Sequence, residues 1–387
     1  RDLKRYDAAV TAYQQAIALD AQFAYPWNGL GNAYRALKRY DEAVAAYQQA
    51  IALDEKYASP WNGLGNAYRD LKRYDAAVTA YQQAIALDAQ FAYPWNGLGN
   101  AYRALKRYDE AVAAYQQAIA LDEKYASPWN GLGNAYRDLK RYDAAVTAYQ
   151  QAIALDEKDA IAWSNLGLAY RALKRYDDAI AAYQQAIALD AQFAYPWHGL
   201  GNAYRDMKRY EEAVAAYQQA IALDEKYANT WNGLGTVYLD LKRYDDAIAA
   251  YQQAITRDEN YASPHANLAT LFRLLKRWPE AETSVRHALT LDLTDWSLWC
   301  GLADLLRHRG DQIGWQEALA QAQPLVDYND FYNAACFESV AGNVERAIAL
   351  LTQAATKAGF NATWAQEDPD LAWIRHDPRF EQIINGV

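Results

Sequence analysis

Cationic excess is missing from this sequence. Lys and Arg number 38 against 48 Asp and Glu, a formal net charge of −10. A general nucleic-acid or anionic-membrane surface needs the opposite balance, so both partners are disfavoured. Cysteine is nearly absent. Cys300 and Cys336 are too few for a disulfide framework and have no metal-ligand spacing around them. They read as buried thiols of a reducing, cytoplasmic compartment. No apolar run is long enough to span a bilayer, and no signal-peptide pattern occurs. Methionine occurs once, at Met207. Of the five histidines, none forms a helical i, i+4 metal pair with a third ligand in view. His376-Asp377 reads as a cap beside an exposed neighbour, not as an acid–base pair. The sequence thus offers no catalytic group, cofactor site or metal site.

Aromatic residues are plentiful, with 32 Tyr and 13 Trp. Tryptophan stands at Trp27, Trp61, Trp95, Trp129, Trp163, Trp197 and Trp231, always 34 residues apart. Leu30, Gly31, Tyr34, Ala43, Tyr47 and Ala50 recur in the same phase, and a fixed period of this length marks a repeat architecture. At 387 residues the chain is too long for one compact core, a limit that a one-dimensional array escapes.

Each unit reads as two helices. Pro26 suits a first turn, and in sister units Ser59-Pro60 and Ser127-Pro128 predict a capping serine just before the proline. Trp27, Leu30, Gly31 and Tyr34 share one helical face; Ala43, Tyr47, Ala50 and Ile51 form the face of a second helix. Lys38-Arg39 mark the turn between them. Gly29, recurring as Gly63, Gly97, Gly131, Gly199 and Gly233, lies inside the first helix, where glycine costs about 0.5–1 kcal/mol relative to alanine. Either close helix packing or room for a ligand backbone accounts for it. The Gly-Leu-Gly-Asn run is no phosphate loop, since it lacks a preceding strand and a following Lys-Ser/Thr.

The order Trp-x2-Leu-Gly-x2-Tyr, then Ala-x3-Tyr-x2-Ala, resembles the tetratricopeptide repeat. The resemblance implies an all-α fold: a right-handed α-solenoid (superhelix) of stacked antiparallel helix pairs. It places the second helix of a truncated repeat at 1–23, eight repeats at 24–295, two degenerate hairpins at 296–357 and capping helices at 358–387. Lys38 stands where the family often has glycine, and Gly314-Trp315 reads as an insertion before Ala318. Tyr332 to Cys336, with the Asp368-Pro369 and Asp377-Pro378 tail, resembles the closing segment of bacterial multidomain proteins of this type. The chain starts in mid-motif, which suggests further domains in a parent chain.

A longer period overlies the shorter one. Residues 1–68 and 69–136 are identical, and residues 137–156 begin a third copy. Two flavours alternate, one with Tyr25 and Ala36, the other with Ser59 and Asp70. Recent duplication or an engineered array explains the identity. Irregular variation after Glu157, at Ile161, Ser164, His198 and Thr236, favours duplication.

The family's first helices line a concave face where ligands lie, which turns attention to three ladders there. Asn28, Asn62, Asn96 and Asn130 form one, continued by Ser164 and His198. Asn32, Asn66, Asn100, Asn134 and Asn202 form the second. Arg35, Arg69, Arg103, Arg137, Arg171 and Arg205 form the third, and the spacings put all three on one helical face. Asparagine supplies a donor and an acceptor for a peptide main chain, and arginine a fork for carboxylates. Tyr25, Tyr93 and Tyr195 add aromatic contact at the rim. The expected partner is a protein or extended peptide segment, acidic where it meets the arginines. The expected role is a non-catalytic scaffold, the recognition arm of a larger bacterial signalling or defence protein. The alternatives are an RNA-binding helical array, a structural array without a ligand, or arginines that merely pair with Asp70 and Asp138.

Overall fold

The computed structural model describes residues 2–386 and is all-helical among them. The chain divides into two compact units, residues 1–199 and 200–387. In the first, α1 (Asp2–Leu19) precedes the pairs α2/α3 (Ala24–Ala36, Tyr40–Leu53), α4/α5 (Ala58–Asp70, Tyr74–Leu87), α6/α7 (Ala92–Ala104, Tyr108–Leu121), α8/α9 (Ala126–Asp138, Tyr142–Leu155) and α10/α11 (Ala160–Ala172, Tyr176–Leu189). The boundary falls inside α12 (Ala194–Asp206). The second unit continues with α13 (Tyr210–Leu223), α14/α15 (Ala228–Asp240, Tyr244–Arg257), α16/α17 (Ala262–Leu274, Trp278–Leu291), α18/α19 (Trp296–Arg309, Gln312–Ala322) and α20/α21 (Phe331–Ala341, Val344–Ala355). Two short helices close it, α22 (Ala362–Glu367) and α23 (Pro378–Asn385), with a 3-10 turn at Pro369–Leu371 between them. Paired helices pack against each other, most of the described repeats pack on the next, and first helices of successive repeats also touch.

The second-helix tyrosine organises this stacking. Tyr47, Tyr81, Tyr115, Tyr149 and Tyr183 in the first unit, with Tyr217 and Tyr251 in the second, are fully buried. Tyr47 lies between Gly31 of its own repeat and Gly63 of the next. A methyl group added at either glycine would stand 2.6 or 2.4 Å from the ring. At Tyr47, Tyr81, Tyr115, Tyr183 and Tyr217 two glycines let three helices close around one aromatic plate; at Tyr149 and Tyr251 Asn165 and Asn267 stand in place of the second glycine. The recurrent in-helix glycines are therefore packing devices. Ala43, Ala46 and Ala50 complete the close approach and are buried to the same degree.

The turn within each repeat is a Schellman motif. Lys38 has φ 60°, and its equivalents at Lys72 to Lys276 match it within a few degrees. The Arg39 N–H donates to the Tyr34 carbonyl at 2.9 Å and the Lys38 N–H to that of Arg35 at 3.0 Å, satisfying the last carbonyls of the first helix. Lysine holds this left-handed position at a cost glycine would not carry. The next residue compensates in part: the Arg39 guanidinium lies 4.4 Å from the Tyr34 ring centre and pairs with Glu42.

Two local expectations fail. Ser59 does not cap its helix: α4 starts at Ala58, with Tyr57 in the cap position and no side-chain cap bond. The Asp54 carboxylate instead holds the preceding turn by accepting from the Lys56 N–H at 3.0 Å. Nor is there an insertion at Gly314-Trp315. Gly310 takes, 34 residues on, the left-handed position of Lys276, at φ 79°, and Asp311 caps α19 in phase. Trp315 simply replaces the alanine at Ala281, with its indole N–H donating to the Val340 carbonyl at 3.2 Å. The tail aspartates do cap: Asp368 accepts from the Asp370 N–H and Asp377 from the Arg379 N–H, each at 2.9 Å.

Two stability outcomes follow. Gly97→Ala should destabilise the first unit by about 1–3 kcal/mol because its methyl meets the Tyr81 ring, although alanine favours an unconstrained helix. A urea midpoint that rises would contradict the clamp. Lys106→Gly, at φ 61°, should stabilise by about 0.5–1 kcal/mol, the left-handed strain less glycine's extra unfolded freedom. An unchanged or lower midpoint would contradict that reading.

Candidate binding face

The buried tyrosine also fixes the polar surface above it. The Tyr47 hydroxyl donates to Asn32 Oδ1 at 2.8 Å, and Tyr81, Tyr115, Tyr149 and Tyr217 do the same to Asn66, Asn100, Asn134 and Asn202 at 2.8–3.0 Å. Burial pushes the phenols up, Tyr81 to about 12, so they remain donors. One acceptor site of each asparagine is thereby used. Asn100 also donates to the Asn96 carbonyl at 3.0 Å. This ladder is a row of struts whose remaining hydrogen-bonding capacity faces the surface.

The first ladder is less uniform. Asn28 and Asn96 donate to the hydroxyls of Tyr57 and Tyr125 at 3.2 and 3.0 Å. Asn130 Oδ1 accepts from Asn165 at 3.0 Å. Asn62 Oδ1 and Asn96 Oδ1 are buried without a protein partner. Ser164, in the same phase, is buried and lies beneath the face; His198 is half-buried. At the rim Tyr25 stacks on Tyr57 with ring centres 4.7 Å apart, and Tyr93 lies 5.0 Å from Tyr125. Tyr195 lies 6.2 Å from Phe193. All three rim tyrosines are exposed.

The arginine ladder carries a two-repeat rhythm. Arg35 Nε donates to Asp70 Oδ2 at 2.8 Å, and Arg69 approaches the other oxygen at 3.5 Å. Arg103, Asp138 and Arg137 repeat this at 2.7 and 3.5 Å. Because Ala36 and Ala104 replace the aspartate in alternate repeats, one carboxylate serves two guanidinium groups in each 68-residue period. These arginines are 24–33% exposed, enough to meet a ligand and buried enough to strengthen the contact. Arg171 falls in the same phase, and Arg205 repeats the 3.5 Å contact with Asp206.

In the second unit the same phase continues through Leu239 to Arg273 and Arg307, with Asp304 in the phase of Asn32. Leu239 hides these two arginines in the sequence, and only the 34-residue step carried past it reaches them. Here the face is covered by the chain itself. The 3-10 turn Pro369–Leu371 lies on α16, α18 and α20. Arg273, 4% exposed, donates through Nε and Nη2 to Asp304 Oδ2 at 3.0 and 2.8 Å, and through Nη2 to Asp370 Oδ1 at 2.6 Å. The Trp373 indole N–H donates to Asp304 Oδ1 at 2.7 Å, and Arg307 lies 3.7 Å from the Trp373 ring centre. His308 stacks between Trp278 and Trp373, 4.7 Å from each. Tyr332 anchors the turn by donating to Asp368 at 2.7 Å.

Cys336, Asp368 and Asp370 bring a thiol and two carboxylates within 4.8 Å of one another. The donor set does not suit a metal. Asp370 is committed to Arg273, Asp368 to Tyr332, and burial pushes the Cys336 thiol well up. His265 and His287 meet at 4.1 Å, and burial with this neighbour holds His265 down at about 4. A cleft of about 610 Å³ lies against Phe331, Phe360 and Trp364, none of them a ladder residue. Smaller clefts of about 460–520 Å³ recur beside the second helices, floored by residues such as Ile17, Trp27 and Leu30.

Asp370 makes the covered face pH-dependent. Burial outweighs the attraction of Arg273, and with Asp368 nearby it pushes this carboxyl up to about 6. Asp304 and Cys300 from α18 and Tyr332 and Cys336 from α20 also face it. A carboxyl raised above its undocked value favours docking at low pH, and that contribution is lost as pH rises through 6. Hydrogen exchange at Ile374, corrected for intrinsic rate, should show several-fold weaker protection at pH 7.5 than at pH 5. Protection that rises with pH would contradict this.

Comparison with known proteins agrees with the helical pairing. The family described as TPR repeat matches residues 1–36, 31–71, 65–105 and 99–137, and that of the cilia and flagella-associated protein 70 C-terminal domain matches residues 132–341. No curated protein sequence matches the chain. Among solved structures, MamA is 29% identical over 43% of this chain and 97% of its own, with a TM-score of 0.39. YrrB, described as a TPR protein with an unusual peptide-binding site, is 22% identical over 48% of this chain and 96% of its own, with a TM-score of 0.39. The APC/C hetero-tetramer Cut9-Hcn1 shares 17% identity over 78% of this chain and 82% of its own, with a TM-score of 0.50. With the 34-residue helical hairpins and the two family matches together, the chain belongs to the tetratricopeptide-repeat family.

Proposed function

We propose that this chain is a protein-interaction scaffold whose first-helix face holds an acidic peptide segment of a partner protein. The observation that carries this reading is the arginine ladder: two half-buried guanidinium groups share one aspartate in every 68-residue period. Each period offers unspent positive charge in a partly dehydrated setting, where a charge-assisted hydrogen bond contributes about 1.5–3 kcal/mol. The asparagine struts and rim tyrosines give a polar and aromatic border to that charge. YrrB's described peptide-binding site is consistent with such a role for this fold. The likeness of the closing segment to bacterial multidomain proteins supports a place as the recognition arm of a larger cytoplasmic signalling or defence protein. A parent gene encoding nothing beyond repeats would contradict that place.

The exact duplication provides a clean test. Deleting residues 69–136 joins Tyr68 to Arg137 in the sequence context that Tyr68 and Arg69 already have. The shortened chain should fold as before and bind an acidic segment long enough to span both periods at least about fivefold more weakly, about 1 kcal/mol for the lost contacts. Unchanged affinity and equal binding of charge-neutralised peptides would sink the ladder as the site.

A further inference from the structure

The tail of this chain occupies the same face that the first unit leaves open, and it does so on residues in repeat phase with the open ones. Arg273 stands in the phase of Arg35 and Arg103, Asp304 in that of Asn66 and Asn134, and Arg307 in that of Arg69 and Arg137. We propose that the partner segment carries an Asp-x-x-Trp motif, bound once per 68-residue period, of which Asp370 and Trp373 are the chain's own copy. This deepens the acidic-peptide reading above and rests on it.

The arginines act alike although their carboxylate partners stand four residues apart in phase, Asp304 in the place of Asn66 and Asp70 in the place of His308. Arg273, Arg35 and Arg103 each give Nε to a carboxylate of the following repeat: Asp304 at 3.0 Å, Asp70 at 2.8 Å and Asp138 at 2.7 Å. On Arg273 a second carboxylate, Asp370, then takes Nη2 at 2.6 Å. One guanidinium thus holds two carboxylates, which is the capacity that Arg35 and Arg103 have to spare. In the following repeat Arg307 lies against the Trp373 ring at 3.7 Å, and Asp304 accepts its indole N–H at 2.7 Å. Arg69 and Arg137 stand in place of Arg307, tied to the shared aspartate by only a 3.5 Å contact, so either guanidinium can turn to an indole face. Asn66 and Asn134 stand in place of Asp304. Each carbonyl oxygen accepts one tyrosine hydroxyl and keeps a second lone pair for an indole N–H.

One difference sharpens the expectation. His308, which stacks on Trp373, is replaced in phase by Asp70 and Asp138. The open sites lack that ring and place a carboxylate there instead, so a segment bound there is held less tightly than the tail. The tail itself has the advantage of being tethered, which explains why the second unit's face is filled within the chain.

A fluorescent peptide with the sequence of residues 366–376, titrated into the full chain at pH 7.5 and 0.1 M salt, is the test. Binding should fall at least tenfold when the peptide carries Asp370→Asn or Trp373→Ala, and equally when the protein carries Arg35→Ala with Arg103→Ala. Arg69→Ala with Arg137→Ala should weaken the parent peptide but leave the Trp373→Ala peptide unaffected. Tight binding of an acidic peptide regardless of its tryptophan would overturn the motif and leave the acidic-segment reading standing. No binding by any acidic peptide would overturn both. Binding that survives all four arginine changes would place the peptide at the tail's own site by exchange, and would also overturn the proposal.

Discussion

Most of the array rests on one contact, a tyrosine ring closed between two glycines. Tyr47 meets Gly31 on one side and Gly63 on the other, and no side chain larger than hydrogen fits at either place without displacing the ring. The contact links the two helices of a repeat and also links that repeat to the next. It therefore sets the spacing of the hairpins as well as their internal packing. A single hairpin leaves half the clamp unfilled, which is why such units are stable only in series. Asn165 replaces the glycine on the far side of Tyr149, and that is also where the first asparagine ladder changes, with Asn165 donating to Asn130.

The same ring joins core to surface. Its hydroxyl ends on the asparagine ladder, so the face above is fixed by a residue below it. The arginines are then held relative to that row by a carboxylate from the neighbouring repeat. The polar face is thus preorganised by the packing, and little ordering is left to accompany binding. The 68-residue identity has a physical counterpart in this arrangement. The 34-residue unit is complete for packing, but the Arg–Asp–Arg group needs both flavours, so the unit of the charged face is the pair.

Much of this was legible in the sequence because it is periodic. The tryptophan step, the two-helix reading and the three ladders all come from residues returning in phase. What was illegible depends on local geometry or on distant parts of the chain. Ser59 resembles a cap by residue type, but the helix begins one residue earlier at Ala58, and the turn is held by Asp54 instead. Trp315 looked like an insertion because a large residue filled an alanine position, although the turn at Gly310 kept its phase. Asp368-Pro369 was readable as a helix start, and Asp368 does cap the short turn that follows it. The tail's second role was hidden, because Leu239 interrupts the arginine row and nothing in sequence order brings Asp370 beside Arg273.

The central claim is that the first-helix face, not the outer clefts beside the second helices, is where a partner segment lies. A crystal structure of the chain soaked with an Asp-x-x-Trp peptide tests it most directly. The account predicts peptide density at Arg35 with Arg69 and again at Arg103 with Arg137, related by the 68-residue period. Peptide lodged instead in the apolar clefts around Trp27, Trp95 and Trp129 would contradict it.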